Sequence, residues 1–249
     1  MRFTLITSLV ASVVLLQGAI AAPHNPLAQV VTKCKKNNTV ALTFDDGPYE
    51  YAYDLSKALV AAGGKGTFFL NGNNYECIYS DDNVKRIHYL HEQGHQLASH
   101  TWNHKHLNTL KRHDLEFELG SVSDALERIA GLRPAFMRPP FGEYNNLVRE
   151  VAASIGETVV IWDFDSTDSI GATPEESKAL YDKTISEKPK SILALNHEVY
   201  RTSVQDVLPY AISKLTEAGY ELVTLAECLG EEPYQNVGKP GKKDGMWKC

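Results

Sequence analysis

Seven short apolar runs, spaced along most of the chain and separated by amphipathic stretches, constrain the fold more than any other feature. They are Thr39–Phe44, Gly66–Leu70, His95–Ser99, Ala135–Arg138, Thr158–Trp162, Ser191–Asn196 and Glu221–Thr224. Runs of this length read as strands buried on both faces. Between them, Leu115, Leu119, Val122, Leu126 and Ile129 recur at helical spacing. Thr173-Pro174-Glu175-Glu176 has the form of a capping box with proline at the first helical position, and Ser203-Val204-Gln205-Asp206 repeats the cap pattern. Strand and helix in alternation imply a parallel sheet, and seven such strands favour closure over an open sheet. The expected fold class is therefore α/β, a single-domain distorted (β/α) barrel of about seven parallel strands. At 249 residues and 43% hydrophobic, the chain is long enough to bury such a core.

Chemistry collects at one end of these runs. Thr43-Phe44-Asp45-Asp46-Gly47-Pro48 ends the first strand in a Gly-Pro turn carrying two adjacent carboxylates. Two like charges so close resist joint ionisation unless a cation or an arginine compensates. His100-Thr101-Trp102-Asn103-His104, Arg138-Pro139-Pro140-Phe141-Gly142, the Trp162–Asp168 segment and Leu195-Asn196-His197-Glu198 also fall at or just past the C-terminal end of a strand. In a barrel of parallel strands those ends share one face, where catalytic groups gather. A lone D-D-G-P would be read as a solvated turn; five polar clusters converging on one face are not explained that way.

His100 and His104 are four residues apart, so a helix beginning after Ser99 would put both imidazoles on one face. Two histidines and a carboxylate, with a fourth position left open, match a catalytic zinc site. Asp46 is the expected carboxylate ligand. His106 makes a rival H-x-x-x-H-x-H pattern, but sits off the shared face and is given a rim or structural role. His88, His91, His95 and His113 lie in helical or pre-strand contexts and are read as surface or packing residues.

Residues 1–21 are different in kind. Arg2 precedes the apolar run Leu5–Leu16, and Ala19-Ile20-Ala21 has the small-x-small form of a signal-peptidase site. The run is too short to span a bilayer comfortably, so export and cleavage are expected, with a secreted, extracellular product and no membrane partner. An N-terminal segment (residues 22–38), a catalytic domain (39–230) and a polar C-terminal tail (231–249) follow. The net charge of −6, with no basic run, argues against nucleic acid as a partner. A monomer is expected. Asn37-Asn38-Thr39 is a glycosylation sequon, making Asn37 the candidate.

The five motifs, in this order from Thr39 to Leu225, resemble the NodB-homology polysaccharide deacetylases, carbohydrate esterase family 4, and among these secreted fungal chitin deacetylases. The resemblance implies Asp45 as general base, Asp46, His100 and His104 as metal ligands, and Arg138 as the residue holding the base. It further implies that the Phe141 N–H completes an oxyanion site, that His197 is the general acid with Leu195 shaping the acetyl pocket, and that Asp168 orients His197 with Trp162 on the pocket wall. The implied cofactor is Zn2+, with Co2+ able to use similar ligands. The implied reaction is metal-dependent hydrolysis of N-acetyl groups on chitin or its oligosaccharides. Two positions depart from the family pattern: Ser169 stands where a tryptophan is usual, and Glu198 where an aspartate is usual. An acetylxylan esterase, a peptidoglycan deacetylase and a catalytically silent sugar-binding protein are the other readings, although Thr67–Asn74, T-F-F-L-N-G-N-N, resembles the chitin-active members more.

Four cysteines in an exported chain point to two disulfides, and three pairings are possible. Cys34 precedes the first strand and Cys228 follows the last, and in a closed barrel those units are neighbours. Cys34 with Cys228 is therefore expected, leaving Cys77 with Cys249 to tie back the tail.

Overall fold

The computed structural model describes residues 27–249; the expected signal sequence lies outside the described residues. In chain order the elements are β1 (Val30–Val31), β2 (Thr39–Gly47), α1 (Ala52–Ala61), β3 (Thr67–Leu70), α2 (Asp81–Glu92), β4 (Gln96–Ser99), α3 (Arg112–Ala130), β5 (Leu132–Pro134) and β6 (Phe136–Met137). There follow α4 (Asn146–Ser154), β7 (Thr158–Val160), β8 (Phe164–Asp165), α5 (Pro174–Ser186), β9 (Ser191–His197), α6 (Leu208–Glu217), β10 (Glu221–Val223), α7 (Leu225–Leu229) and β11 (Tyr234–Val237). Nine strands form a parallel sheet ordered β1-β7-β6-β4-β3-β2-β9-β8, with β10 beside the start of β2. The short β5 and β11 make a separate antiparallel pair. Among the described residues no helix is long and apolar enough to cross a membrane.

The sheet curls so that alternate side chains face two different cores. Ala41, Phe69, Ala98, Phe136, Val160 and Leu193 pack together on one face, with Leu225, Ala226, Cys228 and Leu229 of α7. Val40, Leu42, Phe44, Phe68, Leu70 and Leu97 pack on the other face against the surrounding helices. All nine residues of β2 are buried, and a strand buried on both faces needs no polar alternation, which is why its Thr39–Phe44 portion reads as a mostly apolar run.

The seven expected strands are all present. The sheet is a half-barrel, however, not a ring closed by hydrogen bonds, and its edges are two-residue strands, β1 and β8, too short to register as apolar runs. Helix α7 closes its N-terminal end instead. The Leu225 N–H donates to Thr67 Oγ1 and the Ala226 N–H to Gln96 Oε1, each at 2.8 Å, at the first residues of β3 and β4. The Cys34–Cys228 disulfide staples this plug, and Cys77–Cys249 ties down the tail. The cavity that gathers the strand-end motifs lies at the opposite, C-terminal end of the sheet.

Local signals were met unevenly. Thr173 forms the full capping box of α5. Ser203 caps nothing: Ser203–Val207 is a π-helical turn running directly into α6, and the serine hydroxyl is committed elsewhere.

Candidate active site

Adjacent residues of a strand normally point to opposite faces, so Asp45 and Asp46 need a special reason to serve one pocket. A bulge supplies it. The β2–β3 register shifts between Asp45 and Gly47, and Asp46 takes a left-handed φ of 73°; such a bulge re-aims the side chain beside it. A Cβ at Gly47 would collide with the Glu198 carboxylate, so any larger residue would have to push that buried side chain aside. Glu198 is fully buried beneath the turn and accepts the Tyr49 N–H at 2.8 Å; burial pushes its carboxyl up to about 8.

Arg138, just past β6, is fully buried and spends its guanidinium on this turn. Its Nη1 donates to Asp45 Oδ1 at 2.8 Å and to Thr43 Oγ1 at 2.6 Å, and its Nη2 to the Ile161 carbonyl at 3.2 Å. The guanidinium lies 4.2 Å from the Phe69 ring centre and 5.6 Å from that of Trp162. Burial raises the Asp45 carboxyl above its ordinary range, while the charges of Arg138 and His197 pull it back. A carboxylate raised this way is a stronger proton acceptor that still has a counter-ion.

His100 and His104 are brought together, though not by a helix. The chain from His100 to His106 is irregular, with left-handed φ at Thr101 (70°) and His104 (54°), and the two rings meet edge to face with centres 5.0 Å apart. Asn71, at the end of β3, helps to set this bend: its Nδ2 donates to the His100 and Thr101 carbonyls, at 2.5 and 2.9 Å. His100 Nδ1 lies 2.8 Å from the Arg138 carbonyl, which assigns the ring proton to Nδ1 and leaves Nε2 with its lone pair toward Asp46. His100 Nε2 and His104 Nε2 are 3.6 and 3.3 Å from Asp46 Oδ1, and Asn74 Nδ2 donates to the same oxygen at 3.3 Å.

Asp46, His100 and His104 each offer one donor atom, all within 4.8 Å of one another, and they are the group of this kind among the described residues. Burial drops both imidazoles to about 3, so they are neutral, and lifts Asp46 to about 6. Two neutral imidazole nitrogens and a carboxylate that lacks a cationic partner of its own fit a divalent metal ion.

The second proton carrier stands across the ladder. Register pairs Asp45 with His197, the last residue of β9. Asp168 accepts twice from His197, through ring Nδ1 at 2.7 Å and backbone N–H at 2.9 Å, and once from Ser203 Oγ at 2.8 Å. Burial opposes charge on both partners. The hydrogen bond and the carboxylates around His197 nevertheless raise it to about 9, and the bonds from His197 and Ser203 hold Asp168 below its usual value.

These groups open on a cavity of about 590 Å3, lined also by Phe141, Trp162, Leu195 and Ser169. Arg138 and Asp168 stand behind its wall, bonded to the residues that face it. Phe141, 54% exposed, packs edge-on to His104 and stacks on His106 at 4.1 Å, which places His106 at the rim, where its Nδ1 meets Glu143 at 2.9 Å. Every residue expected at the site thus lies in or against one cavity. Thr43, Asn71 and Asn74 carry no site signal in the sequence beyond lying in the T-F-D-D-G-P and T-F-F-L-N-G-N-N segments, and Ser203 reads there as a helix cap.

The model of the polysaccharide deacetylase family matches residues 32–160. The chain belongs to the polysaccharide deacetylase family. A chitin deacetylase of Arthroderma benhamiae is 32% identical over 222 residues, covering 87% of this chain and 58% of that protein. One from a Pestalotiopsis species is 32% identical over 206 residues, covering 83% of this chain and 68% of that protein. The chain therefore spans only about three fifths of the length of the Arthroderma relative. The solved structure of the chitin deacetylase from Colletotrichum lindemuthianum superposes with a TM-score of 0.79 at 29% identity, covering 86% of this chain and 96% of that one. The family's curled (β/α) sheet is thus the architecture of this chain as well.

Proposed function

We propose that this polysaccharide deacetylase removes N-acetyl groups from chitin or chitin oligosaccharides, releasing acetate and leaving glucosamine units. The observation that carries the reading is the pairing of two proton carriers of opposite state, Asp45 on Arg138 and His197 on Asp168, beside a three-donor cation site in one cavity. Asp46, His100 and His104 would hold the ion, zinc by choice of ligands. A divalent ion held there would supply Lewis acidity toward a water and the acetyl carbonyl. Asp45, oriented by Arg138, takes the proton of the attacking water. The Phe141 N–H stabilises the developing oxyanion, and Leu195 and Trp162 shape the space for the acetyl methyl. An amine leaves poorly unless protonated, so His197, kept cationic by Asp168, delivers the proton to nitrogen.

The similarity to proteins described as chitin deacetylases supports this substrate over the ester of acetylated xylan. Two disulfides suit an exported protein, and Asn37, exposed just before β2, is accessible to a glycan. The test is acetate release from defined chitin oligomers, acetylated xylan and peptidoglycan under matched conditions, with products read by mass spectrometry. Release confined to xylan or peptidoglycan overturns the substrate; no release from any of them, with zinc supplied, overturns the enzyme.

A further inference from the structure

The segment carrying His104 has little structure of its own. Between the end of β4 and the start of α3 there is one 3-10 turn, Leu107–Thr109, and the left-handed φ angles of Thr101 and His104 lie just before it. A histidine stays in that region only when its surroundings offset the strain. What holds it is a carboxylate on the neighbouring helix. Glu118 of α3 is fully buried (0% exposed), on the stripe where Leu115 and Val122 lie one turn to either side. Its Oε2 accepts the Asn103 N–H at 2.7 Å, and its Oε1 accepts Asn103 Nδ2 at 2.9 Å. Lys105 Nζ stands 3.4 Å from Oε1, and the Glu118 backbone carbonyl takes the Trp102 N–H at 2.8 Å.

Residues 102, 103 and 105 are thus all tied to residue 118, and the one between them is His104. A leucine at this position would continue the apolar stripe of α3, whereas a buried carboxylate is costly unless several donors converge on it. Here the donors belong to the loop that presents a metal-site nitrogen. We infer that Glu118 is a positioning residue for the cation site, fixing the backbone that leads into His104 and drawing in the Lys105 side chain that follows it, so that Nε2 faces Asp46. This rests on the proposed cation site at Asp46, His100 and His104. Because Glu118 touches neither ion nor substrate, its effect is read in metal affinity and coordination geometry.

Glu118→Gln keeps the volume but turns an amide N–H toward one of the Asn103 donors. Zinc affinity of the apoprotein, measured against a chromophoric chelator, and the visible absorption of the cobalt-loaded protein are the readouts. We expect the zinc Kd of Glu118→Gln to rise about tenfold or more, the usual range for residues that orient ligands, with a shifted cobalt spectrum. Glu118→Asp should recover part of the affinity and Asn103→Ala should lose less. Glu157→Gln alters an equally buried glutamate at the opposite end of the sheet and should leave both readouts at wild type. A wild-type Kd and spectrum in Glu118→Gln overturn the inference. If that variant does not fold, a wild-type Kd in Asn103→Ala overturns it equally. A wild-type protein that retains neither zinc nor cobalt overturns the cation site itself, and the inference with it.

Discussion

Both ends of the sheet bury ionisable groups, but among the described residues it is the C-terminal end that sets some of them against a buried partner of opposite charge. At the C-terminal ends of the strands, Asp45 is bonded to Arg138 and His197 to Asp168; the second pair holds both members toward their charged forms, and in the first the arginine pulls back a carboxyl that burial still raises. At the N-terminal ends, Glu157 is bonded by Ser123 Oγ, and burial lifts it to about 8; His95 has Ser56 Oγ and the Gly66 N–H, and burial lowers it to about 4. Those two groups are neutral at pH 7. Acid–base chemistry requires groups that are charged yet sheltered, while packing requires groups that give up charge. The mouth of the sheet provides the first at its two ion pairs, while Glu198 beneath the mouth does the second, as Glu157 and His95 do at the floor.

The contrast breaks most sharply at the cation donors. Asp46→Ala or His100→Ala removes one of three protein donors and should abolish both zinc retention after dialysis and turnover. Full zinc occupancy in either variant would sink the ligand assignment. Next comes the base: Asp45→Asn should retain zinc and lower turnover by roughly a hundredfold or more, the scale for losing a positioned proton carrier. Turnover near wild type would remove Asp45 from that role.

The acid should show a more selective loss. His197→Ala should impair amide hydrolysis far more than hydrolysis of an activated aryl acetate, whose leaving group departs unprotonated. Equal losses on both substrates would reassign His197 to binding. The same histidine sets the alkaline limb of the pH profile. It must be protonated to act, so activity should persist up to about pH 9 and fall above it. Asp168→Asn removes the charge that stabilises the imidazolium, so that limb should move to lower pH; an unmoved limb would uncouple the pair.

The smallest effect on activity is expected at the floor. Glu157→Gln should leave turnover unchanged and alter only stability against pH. A carboxyl raised in the folded state to about 8 favours folding fully below its ordinary value of 4.5, and that contribution is lost as pH rises through 8. The glutamine variant should therefore flatten the decline in denaturation midpoint over that window. A change in turnover would mean that the two ends are not separable.

The regions differ too in how far they could be read from the chain. Runs such as Thr39–Phe44 and Ser191–Asn196 announce strands because burial on both faces leaves no room for polar residues. Strands β1 and β8, of two residues each, carry no such pattern, since their pairing comes from what lies beside them. The right histidines were legible for a partly wrong reason: spacing of four suggested a helix, whereas a bend held by Asn71 and Glu118 brings the rings together. Ser203 shows the converse, a good cap signal overridden because the hydroxyl is better used on buried Asp168.

By itself the sequence determined the architecture class, the motif residues and the end of the sheet where they collect, because hydrophobic period and strand-terminal position are local properties. Tertiary structure alone decided that Asp45 and Asp46 share a pocket, through the bulge at Asp46, and that α7 rather than a closing ladder seals the floor. It also set the charge state of each buried group. Burial and the nearest opposite charge determine whether a carboxyl is a base, a ligand or a neutral packing group, and both depend on residues brought from distant parts of the chain.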